Sequence, residues 1–460
     1  MASDSDTDLA AGLARALRAS GMADPVTVED LRRLSGGASR ETWAFTATAG
    51  SERRRLILQR VRGGATMAGP SLAAEDALLA AAARAGVPVP PVVVDAAGCA
   101  AALGAARITA HVDGEALGPR IVRQDRFAAA RSLLPGQCGR ALAAIHAIDP
   151  ATVPGLVPVD TLGRLRDGLD LVGEARPAFE LALRWLHDHR PPPRPERVVH
   201  GDFRIGNLLV DETGLQAVLD WELAHLGDPL EDLGWLCVRA WRFGGDGEVG
   251  GVGPLDDLLS AYATATGTPV SADEVRWWIT AGTLTWGLIC AVQARRHLDG
   301  HVRSVELATI GRRVCETEYD LLDLLEVSAP DAPGPDASAP GPAAPDVTGS
   351  GADAHGRPTA AELVEAVRAH LADVVAPELE GAAAFQLKVA TNALGIVERE
   401  LQARPTSRLS ADDEADLAAA VRSGHDLDAT QLAELRAAVV DRLRVANPRW
   451  LHPADQPATA

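Results

Sequence analysis

Apolar residues along this chain change their period several times, and each change marks an element. Leu9, Leu13, Ala14 and Leu17 recur at helical spacing, so residues 7–20 read as an amphipathic helix. From about residue 27 to 61 the pattern shortens to strands and turns, clearest at Thr42-Trp43-Ala44-Phe45 and Leu56-Ile57-Leu58. Ala73–Ala85 is helical again and stops at Gly86 and the rigid Pro88-Val89-Pro90. Val92-Val93-Val94 and Ala106-Arg107-Ile108 predict two more strands. Residues 1–110 therefore predict a small β-rich lobe with one helix among its strands.

Residues 111–327 predict a mostly helical lobe. Its longest helical stretches are Arg123–Ala147, interrupted at Pro135-Gly136, and Val275–His297. Two apolar runs break the pattern, Leu208-Leu209-Val210 and Ala217-Val218-Leu219, separated by Asp211-Glu212-Thr213-Gly214. That combination predicts a β-hairpin. Residues 328–355 alternate Pro with Ala, Gly, Ser and Asp and bury too little apolar surface to order themselves, so a flexible linker is expected. Residues 356–460 predict a further, all-helical domain, opening on Thr359 with Glu362 three residues later as a capping box.

At 460 residues the chain is long enough for two or three domains. A net charge of −19 excludes a general nucleic-acid binder, which needs a basic face. No apolar run approaches the roughly 20 residues that span a bilayer. The acidic start Met1-Ala2-Ser3-Asp4-Ser5-Asp6 lacks the basic and apolar regions of a secretory signal, so a cytoplasmic protein without a membrane partner is expected. The five cysteines are scattered without metal-ligand spacing and read as buried free thiols. Lys388 is the only lysine in the chain. Any cation that handles phosphate before residue 330 is therefore an arginine or a histidine.

The densest chemistry lies in Val198-Val199-His200-Gly201-Asp202-Phe203-Arg204-Ile205-Gly206-Asn207, followed by the hairpin that delivers Asp220. His two residues before an Asp and Asn five after it is the spacing of a kinase catalytic loop. Phosphoryl transfer needs positioning and charge neutralisation. Asp202 would accept a hydrogen bond from an acceptor hydroxyl and take its proton, while Asn207 and Asp220 offer the hard oxygen donors that Mg²⁺ prefers. His200 is placed to order the loop by hydrogen bonding. The hairpin would bring Asn207 and Asp220 to one end.

These residues, with Val218-Leu219-Asp220-Trp221-Glu222 and Gly227-Asp228-Pro229-Leu230-Glu231-Asp232-Leu233-Gly234-Trp235, resemble the aminoglycoside phosphotransferase-like kinases. The branch is the one found beside or fused to acyl-CoA dehydrogenases. The resemblance covers residues 28–327 and implies an α+β, bilobal protein-kinase-like fold. It also implies use of ATP and Mg²⁺ and a small-molecule alcohol as substrate, with a hydroxyacyl-CoA as one candidate. By the same resemblance Leu34-Ser35-Gly36-Gly37-Ala38-Ser39-Arg40-Glu41 is the nucleotide loop, with Gly36, Gly37 and Ser39 at the phosphates. Glu75 is the helix glutamate that pairs with a cation on the third strand, taken here as Arg60, with Gln59 as the competing position. The hinge is Thr109-Ala110-His111-Val112, where adenine would meet the backbone near Ala110 and Val112.

Glu222 is expected to be structural, Asp228 and Asp232 to cap helices or tie loops, and His146 to be a core histidine. Trp277, Trp278, Trp286, Arg295 and Arg296 lie where relatives build the acceptor pocket, but core packing for the tryptophans and a solvated basic face for the arginines are the expectation. Phe385–Leu394 and Val445–Leu451 resemble a small helical domain encoded alongside such kinases, so self-association or a protein partner is the expectation for the tail. Two rival readings stand beside the leading one: an antibiotic kinase of aminoglycoside type, and a nucleotide-binding pseudokinase.

Overall fold

The computed structural model describes residues 4–34, 40–61, 69–327, 359–403 and 405–456. The expected linker and Gly36, Gly37 and Ser39 lie outside the described residues. The chain divides into two compact units, Met1–Asp160 with Pro191–Gly282, and Thr161–Arg190 with Thr283–Ala460.

The first unit opens with α1 (Asp4–Ala19) and a five-stranded sheet: β1 (Val26–Leu34), β2 (Arg40–Ala49), β3 (Glu52–Val61), β4 (Val92–Val94) and β5 (Ala106–Ala110). The order is β1-β2-β3-β5-β4, every neighbouring pair antiparallel. Strand alternation sorts its side chains. Phe45, Ala47, Leu56, Leu58, Ala106 and Ile108 cover one face with Leu9, Leu13 and Leu17 of α1. The other face is left for Thr42, Ile57, Gln59 and Arg107, in the register that sets Gln59 opposite both Thr42 and Arg107. The helix α2 (Leu72–Arg84) starts where Ser71 accepts a hydrogen bond from the Ala74 N–H, and it carries Glu75 in its first turn.

Two elements differ from the sequence reading. The helix α3 (Ala96–Leu103) fills the gap between β4 and β5; its Ala-Ala-Gly-Cys-Ala-Ala-Ala-Leu run has no polar stripe to reveal a period. Caps define it instead: Asp95 accepts from the Gly98 N–H, and Gly104 leaves at φ 73°. The helix Ala128–His146 runs through Pro135 without a break. Proline removes one hydrogen bond there, but Leu134, Pro135, Cys138, Gly139 and Leu142 are all buried, and packing holds the turn together. Gly139 is needed for that packing, because a Cβ would lie 2.6 Å from the Leu258 carbonyl oxygen.

Four short strands complete the unit. β6 (Arg197–Val199) pairs with β9 (His225–Gly227), and β7 (Leu208–Asp211) forms a hairpin with β8 (Gly214–Val218). The Asp211 carboxylate accepts the Thr213 N–H at 2.7 Å and closes the turn.

The second unit is helical. Leu181, Tyr319, Leu322, Leu417, Val421, Leu435, Val439 and Leu443 make one core. The division between units thus falls inside the expected second lobe, because helices Pro177–Asp188 and Val314–Leu324 share their apolar faces with the C-terminal helices Ala411–Arg422 and Ala429–Ala446. Arg436, buried in that core, pairs with Asp323 at 2.7 Å and Asp455 at 3.0 Å and lies over the Tyr319 ring. The capping box at Thr359 and Glu362 is present. All five cysteines are free and buried. No helix among the described residues is long and apolar enough to cross a membrane.

Leu435 is fully buried in this core. Leu435→Ala is expected to cost about 2–5 kcal/mol, read as a lower denaturant midpoint. A cost under about 1 kcal/mol would mean that the C-terminal helices do not depend on this packing.

Candidate active site

The antiparallel pair β6–β9 fixes the first piece of the site. Val199 pairs with His225, so the chain leaves the sheet at His200 just where β9 feeds the helix Leu230–Cys237. Asp228 accepts the Leu230 N–H at 2.9 Å and begins that helix, and Asp232 falls in its first turn, where the helix dipole favours a carboxylate. Asp232 is fully buried and accepts the N–H groups of His200 at 2.8 Å and Gly201 at 2.9 Å. His146 adds a third contact, 3.1 Å from Asp232, and its other ring nitrogen meets the Tyr262 hydroxyl at 2.9 Å. Burial alone would raise the Asp232 pKa, but hydrogen bonds from His146 and from the His200 backbone hold it below the ordinary carboxylate value.

That anchor dictates the turn. Gly201 takes φ 77°, and a Cβ there would sit 2.4 Å from the Leu223 carbonyl oxygen, so only glycine fits. His200 is buried, and burial lowers its pKa and favours the neutral ring. Its Nδ1 accepts the Asp202 N–H at 3.2 Å, which leaves Nε2 to donate to the Leu219 carbonyl at 3.0 Å. His200 is a positioning residue: it ties the loop bearing Asp202 to the strand end bearing Asp220.

The hairpin supplies the second piece. Leu208 pairs with Val218, and beyond that pair the Leu219 N–H donates to the Asn207 carbonyl at 2.8 Å. Asn207 and Asp220 consequently stand at the same end, as the apolar pattern predicts. The Asn207 amide donates to the Asp202 backbone carbonyl at 2.9 Å and to the Asp202 carboxylate at 2.5 Å. Asp202 also accepts from Trp235 Nε1 at 2.8 Å and Arg204 Nε at 3.0 Å. Asp220 sits at φ 63°, a left-handed conformation costly for a residue with a Cβ. Its carboxyl pKa is pushed up to about 6 by burial, then by the like charges of Glu222 and Asp202, with Arg40 and Arg204 pulling the other way.

This donor chemistry fits a hard divalent cation. Asn207 spends its N–H groups on Asp202 and keeps its carbonyl oxygen, and crowded carboxylates gain from a positive charge. Among the described residues no group of three or more His, Cys, Asp or Glu gathers closely enough to hold a metal. A cation here would take the rest of its oxygens from a bound ligand or water.

A cleft of about 400 Å³ adjoins these residues. The hinge residues Thr109, Ala110, His111 and Val112 line it, with Gln59, Asn207, Asp220 and Glu222. Glu75 reaches it from α2 and is almost completely buried. Its partners are Arg40 of β2, at 2.8 Å through Nη1, and Arg107 of β5, which also meets Asp76 at 3.1 Å.

The expected pairing of Arg60 with Glu75 is corrected by this geometry. Arg60 stands opposite Glu41 in the β2–β3 register and pairs with it at 2.7 Å, on the sheet face turned away from the cleft. Strand residues alternate, so it is Gln59 that faces in. Glu222 contacts Arg40 Nε at 3.5 Å. Trp277 and Trp278 pack together in the interior of the first unit. In the second unit Arg295 caps a helix end through the Leu171 and Val172 carbonyls, and Arg313 lies over the Trp286 ring.

Comparison with known proteins bears on the fold. The profile of the phosphotransferase enzyme family matches residues 30–270, and a domain of unknown function matches residues 377–450. Mouse acyl-CoA dehydrogenase family member 10 is 44% identical over 64 residues, 14% of this chain and 6% of that protein. Human acyl-CoA dehydrogenase family member 11 is 32% identical over 102 residues, 20% of this chain and 13% of that protein. The chain thus matches only a small part of these curated relatives. Among solved structures, a Ralstonia eutropha protein assigned as an aminoglycoside phosphotransferase superposes with a TM-score of 0.54 at 22% identity, covering 69% of this chain and 98% of that one. That likeness establishes a kinase-like phosphotransferase fold.

Asp232→Asn is expected to cost about 2–3 kcal/mol at pH 7, since an amide cannot serve two backbone N–H groups as a carboxylate does. The Asp232 pKa is depressed in the folded state. Its contribution is therefore present above the unfolded value near 4 and lost as pH falls through the folded pKa. Denaturation curves at pH 7 and pH 3.5 should show the wild-type advantage shrinking on acidification. An advantage that does not change with pH would contradict the ionised anchor.

Proposed function

The chain belongs to the phosphotransferase enzyme family, and from that membership we propose that it transfers the γ-phosphoryl group of ATP to a hydroxyl group of a small molecule. The observation that carries this reading is the convergence of Asp202, Asn207 and Asp220 beside a cleft bordered by Thr109–Val112. Adenine would bond the backbone near Ala110 and Val112, which directs the phosphates toward Asn207 and Asp220. Gly36, Gly37 and Ser39 precede β2 and are proposed to cover those phosphates with backbone N–H groups.

Asp202 is proposed as the general base. Its carboxylate would accept the acceptor hydroxyl's hydrogen bond, take the proton as the new O–P bond forms, and leave a phosphomonoester and ADP. Trp235 and Arg204 hold that carboxylate in place. Asn207 and Asp220 would hold Mg²⁺, which when bound neutralises charge on the phosphate oxygens. His200 positions the loop and moves no proton.

For the acceptor we propose a hydroxyacyl thioester of coenzyme A as the first candidate. The support is that the curated relatives are named acyl-CoA dehydrogenase family members. The protein is proposed to work in the cytoplasm, with the C-terminal helices as the surface for a partner or a second copy.

Asp202→Ala is expected to lower phosphorylation of an accepted alcohol about 10²–10⁴-fold, the ordinary worth of general-base assistance. Affinity for a non-hydrolysable ATP analogue should stay within about threefold. Phosphate transfer followed by mass spectrometry, across hydroxyacyl-CoAs, sugars, simple alcohols and aminoglycosides, reads both the acceptor and the effect. Undiminished turnover in the variant would remove Asp202 from the mechanism.

A further inference from the structure

The lysine that kinases carry on the third strand has no counterpart here, because the cleft-facing position on β3 is the neutral Gln59 and the only lysine in the chain is Lys388. The cations among the described cleft-lining residues are Arg40 and Arg107, with His111 at the hinge end. The two arginines are not equivalent. Arg107 gives its Nη groups to Glu75 and Asp76 and, like Arg40, leaves Nε without a hydrogen-bond partner among the described residues, but both of its carboxylates stand on α2. Arg40 gives Nη1 and Nη2 to Glu75 and directs its third edge elsewhere.

What marks Arg40 is its further neighbours, Glu222 and Asp220, the second a proposed metal ligand. Arg40 is 4% exposed, and its Nε has no hydrogen-bond partner among the described residues. Glu222 makes an ion pair with it at 3.5 Å, beyond ordinary hydrogen-bond length. A buried, charged donor left unsatisfied is costly unless a ligand completes it. Arg40 also follows directly on the segment 35–39, lies within electrostatic reach of Asp220, and is locked by a fork–fork contact with Glu75.

We infer that Arg40, on the second strand, is the cation that receives the non-transferred phosphates of the nucleotide, with Glu75 as its clamp. The inference rests on the ATP-dependent reading above. Guanidinium suits the task, since its planar fork can hold Glu75 on one edge and present a second edge to phosphate oxygens.

The test compares ADP with adenosine, which share the base and ribose and differ in phosphate. By calorimetry, Arg40→Met should weaken ADP and a non-hydrolysable ATP analogue roughly 10- to 100-fold. Adenosine affinity should remain within about threefold. Adding Gln59→Lys to Arg40→Met restores a cation at the usual kinase position and should recover most of the ADP affinity, which a merely structural role for Arg40 would not allow. Arg60→Met, on the opposite face, should bind all three ligands as the wild type does. If Arg40→Met fails to fold, Arg40→Lys should show an intermediate ADP loss with adenosine unchanged.

Equal ADP affinity in a folded Arg40 variant, or parallel losses for ADP and adenosine, overturns the inference while leaving the kinase reading intact. A wild-type protein that binds neither ADP nor the ATP analogue overturns that reading and the inference with it.

Discussion

One buried carboxylate organises the loop that bears Asp202. Asp232 has no access to solvent, and it repays its desolvation by collecting two consecutive backbone N–H groups and a histidine. Those contacts oblige the chain to turn at Gly201, and the turn presents Asp202 to Trp235, Arg204 and Asn207. The side chain that gives the loop its shape touches none of the proposed reactants. Its influence passes through peptide groups.

A second charge cluster performs the equivalent task in the sheet. Glu75 collects Arg40 from β2 and Arg107 from β5, bridging two strands across the neutral Gln59 of the strand between them. Arg40 and Arg107 are matched by Glu75 and Asp76, so the cluster leaves no surplus positive charge at the cleft. Negative charge gathers opposite, on Asp220, Glu222 and Asp202. The cleft thus carries more negative than positive charge, concentrated at Asp220 and Glu222. A divalent cation would offset that crowding.

Much of this was legible in the chain itself. His200, Asp202, Asn207 and Asp220 lie within 21 residues, and a hairpin is a local structure whose ends meet by pairing alone. The strands of the sheet and α1 followed from periodicity. What failed was whatever depended on parity or distance. Arg60 and Gln59 are neighbours, and which one faces inward is set by the register with β2 and β5, not by either residue's chemistry. The link from His146 to Asp232 spans 86 positions, and nothing local marks one buried histidine as wired to the loop that bears Asp202. The helix α3 lacks a polar stripe, and Pro135 reads as a break until packing overrides it. The C-terminal helices were visible as helices, but their shared core with Pro177–Asp188 and Val314–Leu324 is a long-range fact.

The central claim is that Asn207 and Asp220 complete a divalent-metal site only when a nucleotide supplies further oxygens. Electron paramagnetic resonance of Mn²⁺ tests it most directly, titrated with the protein alone and then with a non-hydrolysable ATP analogue. The account predicts little bound Mn²⁺ without the analogue, a stoichiometric bound signal with it, and loss of that signal in Asp220→Ala. A bound signal that ignores the nucleotide, or one that survives in Asp220→Ala, would contradict it.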